Sequence, residues 1–183
     1  VAVNALKRFA ADRERRRRQE EGAGPPLPAA AAPKGKKVAV VGAGPAGLTA
    51  AFDLTLAGYA VTIFEAAPAP GGMLRLGIPE YRLPKDVLQE EIDDLLSLGI
   101  ELRLNTPLGP DLTLDDLKRQ GYAAVFLGVG AQRSRRLRIE GTELEGILHG
   151  VEFLRAANLG ERVELGRRVL VIGLGTGVTA GVA

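Results

Sequence analysis

Residues Gly42-Ala43-Gly44-Pro45-Ala46-Gly47 form a GxGxxG pattern that directly follows the apolar run Val38–Val41 and opens a helix-forming stretch. About twenty residues further on, Glu65 ends the next apolar run, Ala60-Val-Thr-Ile-Phe-Glu. Gly42 permits a tight turn, Gly44 lets a pyrophosphate approach the backbone, and Gly47 lets the helix pack close to the strand. The N–H groups of the first helical turn and the dipole behind them favour an anion. A carboxylate at the Glu65 position accepts hydrogen bonds from adenosine ribose hydroxyls and repels a 2′-phosphate, so this turn points to FAD or NAD.

The rest of the composition offers little other chemistry. The 183 residues include no Cys and one His, which excludes disulfide frameworks, thiolate nucleophiles and Cys-bound zinc or iron–sulfur clusters. A His-based metal site or a Ser-His-Asp triad would have to rest on His149 alone. Reactivity is therefore expected to come from a bound cofactor. The only methionine is Met73, so the sequence reads as part of a longer or processed chain. It has no long apolar run and no signal-type core after its basic start, which makes a cytoplasmic location the expectation.

Two elements must hold the glycine turn, and further elements must cover them. Val38–Val41 and Ala60–Glu65 read as buried strands and residues 45–57 as the helix between them. A second helix is expected over residues 84–98, with Leu88, Ile92, Leu95 and Leu96 on one stripe and a solvated acidic face of Glu90, Glu91, Asp93 and Asp94. Residues 100–104, 123–129 and 169–172 read as strands, and 114–120 and 151–157 as short helices. Strands alternating with helices imply an α/β fold with a largely parallel, doubly covered sheet.

The amino-terminal stretch differs in kind. Residues 1–37 carry ten Lys/Arg against four Asp/Glu, and residues 38–183 carry fourteen against eighteen. Residues 4–21 read as a helix with a short apolar face at Leu6, Phe9 and Ala10, followed by a Pro/Gly/Ala linker at 22–33. The run Arg15–Arg18 has no aromatic interleaving, so it reads as a solvated helix face, with neither nucleic acid nor membrane as a partner.

The GAGPAG turn, Val61-Thr-Ile-Phe-Glu65, the block Pro70-Gly-Gly-Met-Leu-Arg-Leu-Gly-Ile-Pro-Glu-Tyr-Arg-Leu-Pro84 and Val125-Phe-Leu-Gly-Val-Gly-Ala131 resemble the glutamate synthase small (β) subunit family. That family is an NAD(P)H:FAD oxidoreductase group whose relatives include the amino-terminal region of dihydropyrimidine dehydrogenase and the large subunit of a ferredoxin:NADP oxidoreductase. The resemblance implies a Rossmann-like FAD-binding domain over residues 37–166. Before it would lie a helical linker at 1–36, and after it the start of a second, NAD(P)H-binding domain at 167–183.

By motif position, Gly42, Ala43, Gly44, Pro45, Ala46 and Gly47 would face the FAD pyrophosphate and Glu65 the adenosine ribose. Gly72, Met73 and Leu74 would lie by the inner ribose and phosphate, and Leu108 by the adenine. Arg75 and Arg82 would be FAD contacts, with plain surface arginines as the alternative, while Gly128 and Gly130 would close over the flavin. Relatives more often carry alanine at Gly128. Their nicotinamide-binding motif would fall at Gly175, Thr176 and Gly177, although its usual Asn and Asp are absent here. Arg133-Ser-Arg-Arg-Leu-Arg138 reads as a solvated loop, with a 2′-phosphate or an acidic partner subunit as alternatives. His149 reads either as a flavin contact or as a helix start.

The function implied is passage of hydride from NADPH or NADH to FAD, then of electrons to [4Fe–4S] clusters in regions or subunits outside this chain and to a partner catalytic subunit or domain. No side chain is expected to act as a catalytic acid or base. The alternative is a catalytically silent FAD-binding scaffold or electron-relay subunit.

Overall fold

In the computed structural model of the chain, residues 2–132 and 140–172 are described. The short β-branched runs form strands because alternate side chains find a core on either face of a sheet. β1 (Lys37–Val41), β2 (Ala60–Phe64), β3 (Glu101–Arg103) and β4 (Tyr122–Leu127) all pair in parallel, in the order β3-β2-β1-β4. Val41 is level with Phe64 on one side and Leu127 on the other, so three strands end together. β1 also lies where the strand order reverses, the place where an open parallel sheet leaves a crevice beyond its carboxyl ends. The expected α/β class and parallel sheet are thus observed.

Helices cover both faces. Val40, Val61 and Ile63 pack on Leu48 and Ala51 of α2 (Pro45–Leu56) and on Leu88 and Ile92 of α4 (Lys85–Leu96). On the other face, Ala39, Val41 and Phe64 meet Leu112, Tyr122 and Leu117 of α5 (Leu114–Arg119). The Phe64 and Tyr122 rings meet edge to face at 5.7 Å. Burying each of the larger side chains contributes about 1.5–3 kcal/mol. α5 starts at a capping box in which the Thr113 hydroxyl accepts from the Asp116 N–H and the Asp116 carboxylate accepts from Thr113. That hydroxyl, the Thr113 N–H and then Arg119 hold the Asp116 carboxyl below its ordinary value.

The structure departs from the sequence reading in two elements and adds a third. Residues 169–172 form no strand: Leu170 is 84% and Ile172 68% exposed. An apolar β-branched run needs a neighbouring ladder to satisfy its backbone, and among the described residues none lies beside it. The four-residue α3 (Met73–Leu76) arises between Gly72 and Gly77, too short to register as a periodicity.

The other departure concerns the basic helix, α1 (Val3–Glu21). Arg18 grips Asp94 of α4 with both terminal nitrogens, at 2.9 and 3.0 Å, and Gln19 donates to Glu90 at 3.3 Å. Arg15 stands 3.6 Å from the same Glu90. The arginine run and the acidic face of α4, both expected to be solvated, therefore partly cover each other. The linker is also held, through Ala31 N–H to Leu56 O and Lys34 N–H to Gly58 O, each 2.8 Å.

No residue of α1 is buried, so charge complementarity carries this docking and salt should weaken it. Arg18→Ala, or a severalfold rise in salt, is expected to speed amide hydrogen exchange along α1 while β1 and β2 stay protected. Exchange along α1 that is indifferent to both changes would contradict the ionic seam.

Candidate functional site

The glycine turn is built by backbone packed on backbone. Gly42 has φ 104°, a conformation open to glycine, and its N–H extends the sheet by donating to Phe64 O at 2.7 Å. A Cβ on Gly42 would fall closer than 3.0 Å to the carbonyl oxygen of Gly128, and one on Gly47 closer than that to the carbonyl oxygen of Gly42. The start of α2, the end of β1 and the end of β4 thus touch through main chain alone. The diglycine joins them: Gly71 N–H donates to Ala43 O at 2.8 Å, and a Cβ on Gly72, at φ 51°, would lie 2.7 Å from the Cα of Gly44.

Glu65 locks the turn from below. Its buried carboxylate accepts from the Ala43 N–H at 2.6 Å and from the Ala67 N–H at 2.8 Å. One carboxylate therefore ties the turn after β1 to the segment after β2, and still faces the cleft with lone pairs for a further donor.

Beyond the strand ends lies a largely apolar cleft of about 530 Å³. Of the residues expected there, Gly42, Gly44, Pro45, Ala46, Glu65, Gly72, Met73, Leu108, Gly128 and Gly130 line it. Ala43 and Gly47 do not, because they lie beneath the surface of the turn, one bonded to Glu65 and the other against Gly42. Leu74 packs on the hydrophobic core below α2 and α4.

Neither of the two arginines expected as FAD contacts lines the cleft. Arg75 donates from Nε to Pro70 O and from Nη2 to Gln89 Oε1, each at 2.5 Å. It ties the diglycine loop to α4 and does not line the cleft. Arg82 is exposed, on a loop pinned by Lys85, whose ammonium donates to Ile78 O and, at 3.1 Å, to Leu74 O. Burial holds that ammonium below the ordinary lysine range. His149 is the N-cap of α6 (Gly150–Asn158) and does not line the cleft, which matches the helix-start reading. Gly175, Thr176, Gly177 and the Arg133–Arg138 run lie outside the described residues.

Sequence reasoning missed several lining residues, among them Leu76, Thr106, Gln132 and Arg155. Thr106 precedes Leu108 closely enough to have been inferred with it. Nothing local marked Arg155, because its position depends on where α6 docks.

The arrangement suits a dinucleotide. Gly44 is extended at the N-cap and Pro45 stands at the first helical position, so the start of α2 opens toward the cleft with its dipole behind it. A Cβ at Gly44 would find only the Cα of Gly72, at 3.8 Å, which leaves the closest approach to the backbone open to a ligand. These features fit FAD: an anion-favouring turn, a carboxylate at the neighbouring strand end, and apolar walls for flat rings.

Such a site on a parallel sheet defines a nucleotide-binding oxidoreductase class. The family model described as pyridine nucleotide-disulphide oxidoreductase matches residues 36–181, and the chain belongs to that family. It is similar to the NADP(+)-dependent formate dehydrogenase subunit beta of Moorella thermoacetica, 45% identical over 96% of this chain and 27% of that protein. It is also similar to the glutamate synthase [NADPH] small chain of Bacillus subtilis, 46% identical over 67% of this chain and 25% of that protein. The family resemblance drawn from the motifs therefore holds. Among solved structures, Mycobacterium tuberculosis FprA in complex with NADPH has a TM-score of 0.61 at 27% identity, covering 67% of this chain and 29% of FprA. The chain spans about a quarter of the length of the curated relatives it matches.

Proposed function

We propose that this chain is the FAD-binding portion of an NAD(P)H-dependent oxidoreductase of the glutamate synthase small-subunit type. The observation that carries the reading is the glycine cradle of Gly42, Gly44, Gly47, Gly72 and Gly128, closed from below by Glu65. The Gly44–Ala46 turn and Gly72 would hold the diphosphate. Glu65 would accept from the adenosine ribose, Leu108 would lie by the adenine, and Gly128 and Gly130 would border the flavin. FAD, when bound, supplies the acceptor for hydride from a reduced nicotinamide, so this chain needs no acid or base for that chemistry.

Residues 1–36 would serve as a docked helix and linker, 37–166 as the FAD domain, and 167–183 as the start of a nicotinamide-nucleotide domain. NADPH is the donor favoured, because the relatives named above are NADP- or NADPH-dependent by name. Electrons would go on to [4Fe–4S] clusters and a partner subunit or domain outside this chain, since its own residues include no cysteine. A cytoplasmic setting suits such chemistry. Among the described residues no helix is long and apolar enough to cross a membrane.

The test is an anaerobic visible absorption titration of the longest native chain that carries these residues. Stepwise bleaching of a bound flavin band by NADPH, and less by NADH, is expected. A bound flavin that neither nucleotide bleaches would favour a silent scaffold, and the absence of any flavin uptake would overturn the site.

A further inference from the structure

Resting on the FAD reading above, we infer that Arg155 is a cationic contact to the diphosphate of the bound dinucleotide. The backbone of the turn is short of donors for such an anion. Gly42 N–H is committed to Phe64 O, Ala43 N–H to Glu65, and Pro45 has no N–H. The turn amides left at the cleft are those of Gly44 and Ala46. The diphosphate's negative charges would then sit in an apolar cleft whose other acidic group, Glu65, adds to them. A compensating cation is needed.

Arg75 is occupied by Pro70 and Gln89, and Arg82 lies outside the cleft. Among the described residues, Arg155 is the one cationic side chain lining the cleft, and its guanidinium has no hydrogen-bond or ion-pair partner there. Its position is set by the fold. Phe153 and Leu154 bury one face of α6, and Asn158, one turn after Arg155 on the same side, donates to Leu76 O at 3.0 Å. That bond fixes α6 against α3, and Leu76 itself lines the cleft beside Met73. Arg155 thus borders the same cleft as the amino end of α2, and its guanidinium offers planar forked donors suited to phosphate oxygens.

The experiment compares the chain with Arg155→Ala and Arg155→Lys by calorimetric titration with FAD, ADP and riboflavin, with thermal melting as a control for folding. Arg155 is exposed, so the melting temperature should not move. FAD and ADP affinity should both fall by about tenfold or more in Arg155→Ala and recover in part in Arg155→Lys, while riboflavin binding stays unchanged. FAD affinity equal in the chain and Arg155→Ala would overturn the inference and leave the FAD site standing. A loss seen with riboflavin and absent with ADP would place the contact on the flavin ring, and would also overturn it. A chain that takes up no FAD would remove the FAD reading itself, and this inference with it.

Discussion

Gly42→Ala is expected to lower the melting temperature by roughly 10 °C, the shift that a loss of about 3–5 kcal/mol produces in a domain of this size. Two independent terms act together. The backbone at φ 104° is one that an L side chain adopts only under strain. The new methyl group would also meet the carbonyl of Gly128, a backbone atom at the end of β4 that cannot turn aside as a side chain would. Relief requires β1 and β4 to separate at their carboxyl ends, which opens the cleft. Gly44→Ala provides the contrast. Gly44 has φ −77° and its nearest obstacle is 3.8 Å away, so the melting temperature should stay close to that of the unsubstituted chain. The methyl group stands where the diphosphate must approach, and FAD affinity should fall by about tenfold or more. Thermal melting and FAD titration of the two variants check both statements. Equal melting temperatures for Gly42→Ala and Gly44→Ala would contradict the packing described for the turn.

Glu65→Ala is expected to have an effect of comparable size by a different route. The Ala43 and Ala67 amides are buried and bond to the carboxylate alone, so its removal leaves two donors without acceptors. Each buried polar group left unmatched costs about 1–3 kcal/mol. Glu65→Gln keeps one acceptor oxygen and turns an NH₂ group toward the other amide, so its loss of stability should be about half as large. The same variant tests ligand choice. Removing the charge should narrow the preference for ADP over its 2′-phosphorylated form, because the repulsion of that phosphate is gone. Chemical denaturation and competition titration read the two effects separately. Unchanged stability in Glu65→Ala would show that water or other groups replace the carboxylate.

Much of the fold was legible because its signals are local. The glycine spacing, the apolar runs of β1 and β2 and the stripe of α4 each depend on residues within a few turns of one another. Glu65 was legible as the carboxylate that ends the second strand, yet its bonds to Ala43 and Ala67 depend on how two strand ends lie side by side. The features that were not legible are long-range. Arg18 finds Asp94 across 76 residues, and each alone reads as part of a solvated face. Arg155 acquires its place only when Asn158 reaches Leu76, 82 residues earlier. Arg75 and Arg82 were placed in the site by motif position, which gives the order of residues along the loop and not the direction in which their side chains leave it. Residues 169–172 carry strand composition without a neighbouring ladder, and composition alone does not supply one.

That this glycine cradle holds FAD is the central proposal for the molecule. Equilibrium titration of the chain with FAD, followed by flavin fluorescence and repeated with Gly44→Ala, tests it most directly. Saturable binding at one FAD per chain, displaced by ADP and weakened in Gly44→Ala, is the predicted result. Binding that Gly44→Ala and added ADP both leave unchanged, or no binding at all, would contradict it.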